Sequence, residues 1–124
     1  MTQPDFTQPD AKLRERFEEF RREHKDDKLG GVATRVLHED ERVKIWDMSL
    51  APGEASDLHT HENDYYLVML QGDRVAGISQ DGSQDIVLDL TPGPELIRID
   101  KGATEWAYNP GKEPFYEILI ELKD

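Results

Sequence analysis

The sequence predicts an all-β domain, a sandwich or closed barrel, preceded by a single N-terminal α-helix. After Gly31 the chain divides into about eight short β-prone segments separated by turn residues, which is typical of antiparallel sheet proteins. Before Lys28, apolar residues instead recur at helical spacing. We therefore divide the chain into an N-terminal arm and helix over residues 1–28 and a β-barrel domain over residues 29–124.

The N-terminal segment predicts one helix from about residue 9 to about residue 25. Thr7 followed by Asp10 is a capping signal, and Pro9 is tolerated in a first turn. We expect the narrow apolar stripe of this helix to pack on the body of the domain or on a second subunit. The stripe is formed by Leu13, Phe17 and Phe20.

The β region contains one clear hairpin signal and one clearly alternating strand. Asp81-Gly82 is typical of a tight hairpin turn, and a Pro/Gly-rich break falls at residues 91–94. The last strand places tyrosine and aliphatic residues on one face, with Glu117 and Glu121 on the other. The predicted strands are 33–37, 42–50, 64–70, 74–79, 85–90, 95–99, 104–108 and 115–122.

Composition excludes several classes of partner and site. The 27 Asp and Glu outnumber the 15 Lys and Arg among 124 residues, giving a net charge of −12. Such a surface stays soluble and repels phosphate backbones and anionic lipids, so we expect neither nucleic acid nor a membrane as partner. The chain has no cysteine, which excludes disulfides, thiolate metal sites and a cysteine nucleophile. With no apolar leader at the start and no apolar run long enough to span a bilayer, we expect a cytoplasmic protein.

Two histidines separated by one residue, His59 and His61, form the most informative local pattern. In a strand, residues i and i+2 point to the same face, so both imidazoles would project together, as two ligands of one metal must. Tyr65 has the same parity. Asp64 has the opposite parity, and we expect it at a turn or rim. The alternative is a pair of exposed, inert loop histidines.

The residues around these histidines resemble the first motif of the cupin superfamily. Gly53 lies six residues before His59, and Gly72 lies seven residues after Tyr65, which stands where the motif has its glutamate. This spacing is similar to that of the cupin pattern G-x5-HxH-x3,4-E-x6-G. The resemblance implies a jelly-roll β-barrel, in agreement with the predicted strands.

Residues 100–109 resemble the second cupin motif. Gly102 and Asn109 match it, whereas Asp100 stands where the motif has proline and Glu105 stands at its histidine. The resemblance covers residues 32–123 and is greatest to small single-domain cupins associated with β-alanine degradation. It implies a homodimer, because small cupins commonly pair through sheet edges.

The cupin resemblance implies a metal centre formed by His59, His61 and Glu105. Two histidines and one carboxylate suit Fe(II) and leave positions open for substrate or oxygen, while Mn, Ni and Zn are also compatible. Tyr65, a poor ligand when neutral, would form hydrogen bonds beside the metal or to the substrate. The alternative is that the two substitutions have abolished metal binding and left an empty pocket.

Three functional hypotheses follow for this site. The first is a metal-dependent enzyme acting on a small polar metabolite, either a dioxygenase or an isomerase or lyase with Glu105 or Tyr65 transferring protons. The second is a non-catalytic cupin that binds or senses a ligand. The third is a metal-independent isomerase or lyase that uses His59, His61, Tyr65 and Glu105 as acid–base groups.

Overall fold

The computed structural model describes residues 6–90 and 95–123. The predicted break at 91–94 and the start of the N-terminal arm lie outside these residues. The described chain forms one helix and ten strands. They are β1 (Phe6–Thr7), α1 (Ala11–Glu23), β2 (Arg35–Glu39), β3 (Val43–Leu50), β4 (His59–Thr60), β5 (Tyr65–Gln71), β6 (Arg74–Ser79), β7 (Ile86–Asp89), β8 (Glu95–Ile99), β9 (Thr104–Tyr108) and β10 (Phe115–Leu122).

The strands form two five-stranded antiparallel sheets. The first sheet has the order β1-β7-β6-β9-β4, and the second has the order β2-β3-β10-β5-β8. The prediction of an all-β fold with one N-terminal helix is confirmed. No helix in residues 6–90 and 95–123 is long and apolar enough to cross a membrane.

Helix α1 begins later than predicted, and its cap differs from the expected pair. Asp10 is the N-cap, and its side chain accepts a hydrogen bond of 2.9 Å from the amide of Leu13. This satisfies one of the unpaired amides of the first turn. Thr7 lies instead in β1, where its hydroxyl donates to the carbonyl of Val87. The expected role of Thr7 in capping is therefore wrong, because that residue is engaged by β7.

The apolar stripe of α1 covers the outer face of the first sheet. Leu13 and Phe17 are buried there together with Ile78 and Trp106, and the ring of Phe17 meets the edge of Tyr108 at a centroid distance of 6.0 Å. Of the two alternatives for this stripe, packing on the body of the domain is therefore the one observed. The sheet is thus covered by the helix on one side and by the second sheet on the other.

A half-buried ion pair attaches α1 to the turn between β6 and β7. The Arg21 guanidinium donates to the Asp85 carboxylate at 2.7 Å and to the carbonyl of Ser79 at 3.1 Å. The same Asp85 oxygen accepts hydrogen bonds from the amide and the hydroxyl of Ser79. The predicted hairpin at Asp81-Gly82 is present, and Gly82 adopts a φ of +80° that favours glycine.

The interior between the sheets depends on the central strand β10. It pairs along its length with β3 on one side and with β5 on the other. Its alternation places Phe115, Glu117, Leu119 and Glu121 on the buried inner face, whereas the aliphatic residues between them are half-buried on the outer face. Two carboxylates therefore enter the interior from a central strand.

Most of the predicted strands are observed with similar bounds. The predictions for β6, β8, β9 and β10 have the observed ends. The strands β1 and β4, which are two residues long each, were not predicted. In β4, His59 pairs with Glu105 and Thr60 pairs with Thr104 of β9. This short pairing places one candidate site residue directly beside another.

Candidate functional site

A cavity of about 610 Å³ lies between the two sheets. Its walls are mostly aliphatic and come from both sheets. Polar side chains also line it, and five of them are grouped along β4, β5, β9 and β10. The apolar wall residues include Met48, Leu67, Leu88, Ile97, Ile99 and Leu119. These five are His59, His61, Tyr65, Glu105 and Glu117, and the other polar lining residues are Gln8, Ser83, Gln84, Asp85, Asp100 and Lys101. The structure therefore brings all four sequence-predicted site residues into one cavity and adds a fifth group.

His59 is held in a defined orientation at the start of β4. Its side chain is buried, and Nδ1 lies 2.8 Å from the carbonyl oxygen of Asp57. Since a carbonyl can only accept, Nδ1 carries the proton and Nε2 carries the lone pair. Burial lowers the pKa of His59, although the carbonyl and charge of Asp57 oppose this effect. The imidazole is therefore neutral near neutral pH.

His61 lies beside His59, as the strand parity predicted. The two ring centroids are 4.7 Å apart at an interplanar angle of 82°, and His61 also stacks on Tyr65 at 3.9 Å. Burial, with a smaller contribution from His59, lowers the pKa of His61 to about 3. Its Nδ1 is buried without a hydrogen-bond partner. The alternative of exposed loop histidines is therefore wrong, because both rings are buried.

The loop that carries His61 is fastened to the loop between β8 and β9. The amide of His61 donates to the carbonyl of Ala103 at 3.0 Å, and the amide of Gly102 donates back to the carbonyl of His61 at 2.9 Å. Asp64 accepts from the amide of Lys101 and pairs with Arg98. The expectation that Asp64 is a rim residue is confirmed. These contacts fix the histidine relative to β9.

Glu105 projects from β9 into the cavity between two neighbouring strands. It lies in register with His59 on β4 and with Ser79 on β6. Its carboxylate lies over Gly77, where an added Cβ would come within 2.7 Å of Oε2. Burial raises the pKa of Glu105 to about 7. This carboxyl group can therefore hold or release a proton near neutral pH.

Glu117 faces the same cavity from the second sheet, and sequence reasoning missed it as a site residue. It is 3% exposed and lies in register between Met48 and Met69. Its Oε2 is buried without a hydrogen-bond partner. Burial, followed by the negative charge of Glu105, raises the pKa of Glu117 to about 8. The signal in the sequence was the alternation of β10, which shows two faces without showing which one is inside.

Tyr65, on β5, is the last of the five polar side chains grouped in the cavity. It is 2% exposed, and its ring stacks on His61. Burial, together with the negative charges of Glu105 and Glu117, raises its pKa far above the usual range. The hydroxyl group therefore stays neutral and can donate a hydrogen bond to an oxygen in the cavity.

The expected metal centre can be tested against this donor set. His59 and His61 are neutral and adjacent, which suits two imidazole ligands. Within residues 6–90 and 95–123, however, no group of three or more His, Cys, Asp or Glu side chains is arranged to hold a metal ion. The observed side-chain positions thus do not fit a three-ligand centre, and Glu105 would have to leave its place over Gly77 to complete one. That ligand set stays a prediction.

Comparisons with known proteins complement this geometry. No protein-family model and no curated protein matches the chain. Among solved structures, a cupin domain from Bordetella pertussis Tohama I is 26% identical, with a TM-score of 0.65, and the match covers 78% of this chain and 98% of that one. A cupin superfamily protein from Desulfitobacterium hafniense is 23% identical, with a TM-score of 0.53 and coverages of 77% and 84%.

A third solved structure, the polyketide cyclase RemF from Streptomyces resistomycificus, is 14% identical. Its TM-score is 0.52, and the match covers 82% of this chain and 77% of that one. These matches do not test the resemblance to the small cupins associated with β-alanine degradation, which stays a prediction. Together with the two antiparallel sheets and the one helix, they show that this chain has the all-β cupin fold, and they support its place in the cupin superfamily.

Proposed function

We propose that this chain is a small-molecule enzyme that transfers protons, an isomerase or lyase whose chemistry does not require a metal. The observation that supports the proposal is the group of side chains lining one largely aliphatic cavity: two adjacent neutral histidines, a neutral tyrosine and two buried carboxyl groups. Acid–base enzymes need titratable groups whose pKa values are set apart by their surroundings. The cavity volume also lies in the range of small-molecule sites.

Glu105 is the proposed acid–base group. Its pKa of about 7 suits a group that must accept and return a proton at neutral pH. As carboxylate it would take a proton from a carbon next to a carbonyl group, which leaves an enolate, and as acid it would return that proton to the same carbon or to a carbon conjugated with the enolate. The Tyr65 hydroxyl would donate a hydrogen bond to the carbonyl oxygen. His59, with its free Nε2, would accept a hydrogen bond from the substrate.

Deuterium exchange tests this proposal before any natural substrate is identified. The chelator-treated protein would be incubated in D₂O with a panel of small carbonyl compounds, amino ketones among them, and exchange followed by proton NMR. We expect the parent chain to speed exchange of at least one compound, and Glu105→Gln to slow it about 100-fold. Glu113→Gln, which alters an exposed carboxylate, is the matched control. Unchanged exchange in the Glu105 variant would refute the assignment.

A metal-dependent enzyme is the second candidate, and one observation favours it. Nδ1 of His59 donates to a backbone carbonyl, which is how metal-binding histidines are commonly oriented. His59, His61 and Glu105 would hold the ion only after the Glu105 carboxylate had moved from its place over Gly77, with Fe(II) first and Mn, Ni or Zn as alternatives. Iron would supply open positions for oxygen and substrate, as in a dioxygenase, and any of these ions would polarise a carbonyl group.

Metal content measured by mass spectrometry separates the two candidates. Near one equivalent in the parent chain, lost in Glu105→Ala, would support the metal centre and the dioxygenase hypothesis. Metal that is retained in Glu105→Ala would remove Glu105 from the ligand set. No binding after reconstitution with Fe, Mn, Ni and Zn would leave the proton-transfer enzyme. If deuterium exchange were absent as well, a non-catalytic cupin that binds a small ligand would remain.

A further inference from the structure

We propose that the cavity binds a small organic amine, with the ammonium group on Glu117 and an apolar body against the walls of the two sheets. This inference deepens the proposed function, because it names a class of ligand. It rests on the proposed function only in placing a ligand in this cavity.

Two buried carboxylates among the described residues, Asp47 and Glu117, each have an oxygen without a hydrogen-bond partner. The other oxygen of Asp47 accepts from Arg35 and from the hydroxyl of Tyr116, so that carboxylate is already paired with a cation. Glu121, two positions along the same face of β10, accepts hydrogen bonds from the indole of Trp46 and the amide of Asn63. The half-buried Asp85 accepts from Arg21 and Ser79.

Oε2 of Glu117 is buried without a partner, although the side chain is only 3% exposed. A buried, unsatisfied acceptor is costly. An ammonium group bound there would displace the proton that burial keeps on Glu117 near neutral pH, and would then donate to the carboxylate.

The charges around the cavity favour a cation over an anion. Of the described residues that line it, Lys101 is the one lysine or arginine, and it is exposed. Glu105 and Glu117 line the cavity from opposite sheets and interact electrostatically. A carboxylate or phosphate ligand would therefore meet two acidic groups without a buried cation, whereas an ammonium group would meet suitable partners. The net charge of −12 also attracts cations to the protein.

The walls and the volume of the rest of the cavity indicate what the remainder of the ligand should be. Glu117 lies between Met48 and Met69, and aliphatic side chains of both sheets form most of the remaining wall. Burying an aliphatic ring or branched chain against such a wall is favourable at about 25 cal/mol per Å². The cavity volume of about 610 Å³ accommodates a six-membered ring with substituents. We therefore expect amines with a compact apolar body.

Three probes of nearly equal shape test the proposal: cyclohexylammonium, cyclohexanol and cyclohexanecarboxylate. Binding of each would be measured by ligand-observed NMR at one pH and ionic strength. We expect the ammonium probe to bind the parent chain about tenfold more tightly than the alcohol, with the carboxylate weakest. Glu117→Gln should abolish the preference for the ammonium probe and leave alcohol binding within about threefold. Glu113→Gln should leave all three affinities unchanged.

Several results would overturn the inference. They are equal or tighter binding of the alcohol by the parent chain, binding of none of the probes, or an unchanged ammonium preference in Glu117→Gln. If circular dichroism shows that Glu117→Gln is unfolded, the ranking of the probes on the parent chain decides alone. If the protein prefers the ammonium probe but does not speed deuterium exchange, only the proposed proton transfer is refuted. If the protein speeds deuterium exchange but binds the alcohol or the carboxylate more tightly than the ammonium probe, only the proposal of an amine ligand is refuted.

Discussion

Replacing Glu117 by glutamine should make the stability of the protein less sensitive to alkaline pH. Burial raises the pKa of Glu117 from its usual 4.5 to about 8. Between these values the folded chain keeps a proton that the unfolded chain has lost. The folded state therefore binds more protons, so the free energy of unfolding falls as the pH rises through this window. Below pH 4.5 this contribution is fully present, and above about pH 8 it has been lost.

The magnitude follows from the width of the window. The interval from 4.5 to about 8 is about 3.5 pH units, and each contributes about 1.4 kcal/mol, so the full loss is about 5 kcal/mol. About 2 kcal/mol of this is lost by pH 6, which leaves about 3 kcal/mol between pH 6 and pH 9. Glutamine has nearly the same shape and does not titrate. The variant should therefore gain about 3 kcal/mol relative to the parent chain over that interval.

Urea denaturation at pH 6 and pH 9 measures the difference directly. The lowered pKa values of His59 and His61 reduce stability only as the pH falls below about 6.5, and both proteins share this effect. Glu113→Gln should follow the parent chain at both pH values, because that side chain is exposed. A difference between Glu117→Gln and the parent chain that does not change with pH would show that Glu117 is not held protonated, and would refute the reasoning.

Three further predictions concern packing and assembly. Gly77→Ala should displace the Glu105 carboxylate, which lies 2.7 Å from the added Cβ, and lower deuterium exchange about tenfold; the melting temperature checks that the fold is kept. Phe17→Ala should cost about 3 to 4 kcal/mol in urea denaturation, because the ring is fully buried between α1 and the first sheet, and a loss below 1 kcal/mol would contradict this packing. We also predict that light scattering will show a homodimer of twice 14.3 kDa. If the outer sheet face is the interface, Leu70→Glu, on the exposed part of β5, should yield monomers. A monomeric parent chain would refute the dimer.

The fold could be predicted from the sequence wherever a segment carried its own pattern. β10 alternates over its full length, and the turn glycines bound its neighbours, so these elements were found with little error. β1 and β4 are two residues long and exist only through pairing with β7 and β9. Such strands carry no periodicity of their own, and only the tertiary structure reveals them.

The candidate site could be predicted only in part, for a related reason. The spacing of His59 and His61 is local, so their shared direction followed from strand geometry. Glu117 could not be assigned in the same way, because both faces of β10 carry apolar residues and local alternation does not say which face is inside. The position of the Glu105 carboxylate depends on the open space over Gly77, which lies on another strand.

The ion pair between Arg21 and Asp85 connects helix α1 to the wall of the cavity. Ser83, Gln84 and Asp85 follow the hairpin turn and also line the cavity. Asp85 keeps its position through the guanidinium of α1. Shortening or fusing the N-terminal segment would therefore move this part of the wall and change ligand affinity, without altering His59, His61, Tyr65, Glu105 or Glu117. Affinity tags for the binding and exchange assays accordingly belong after β10, away from α1.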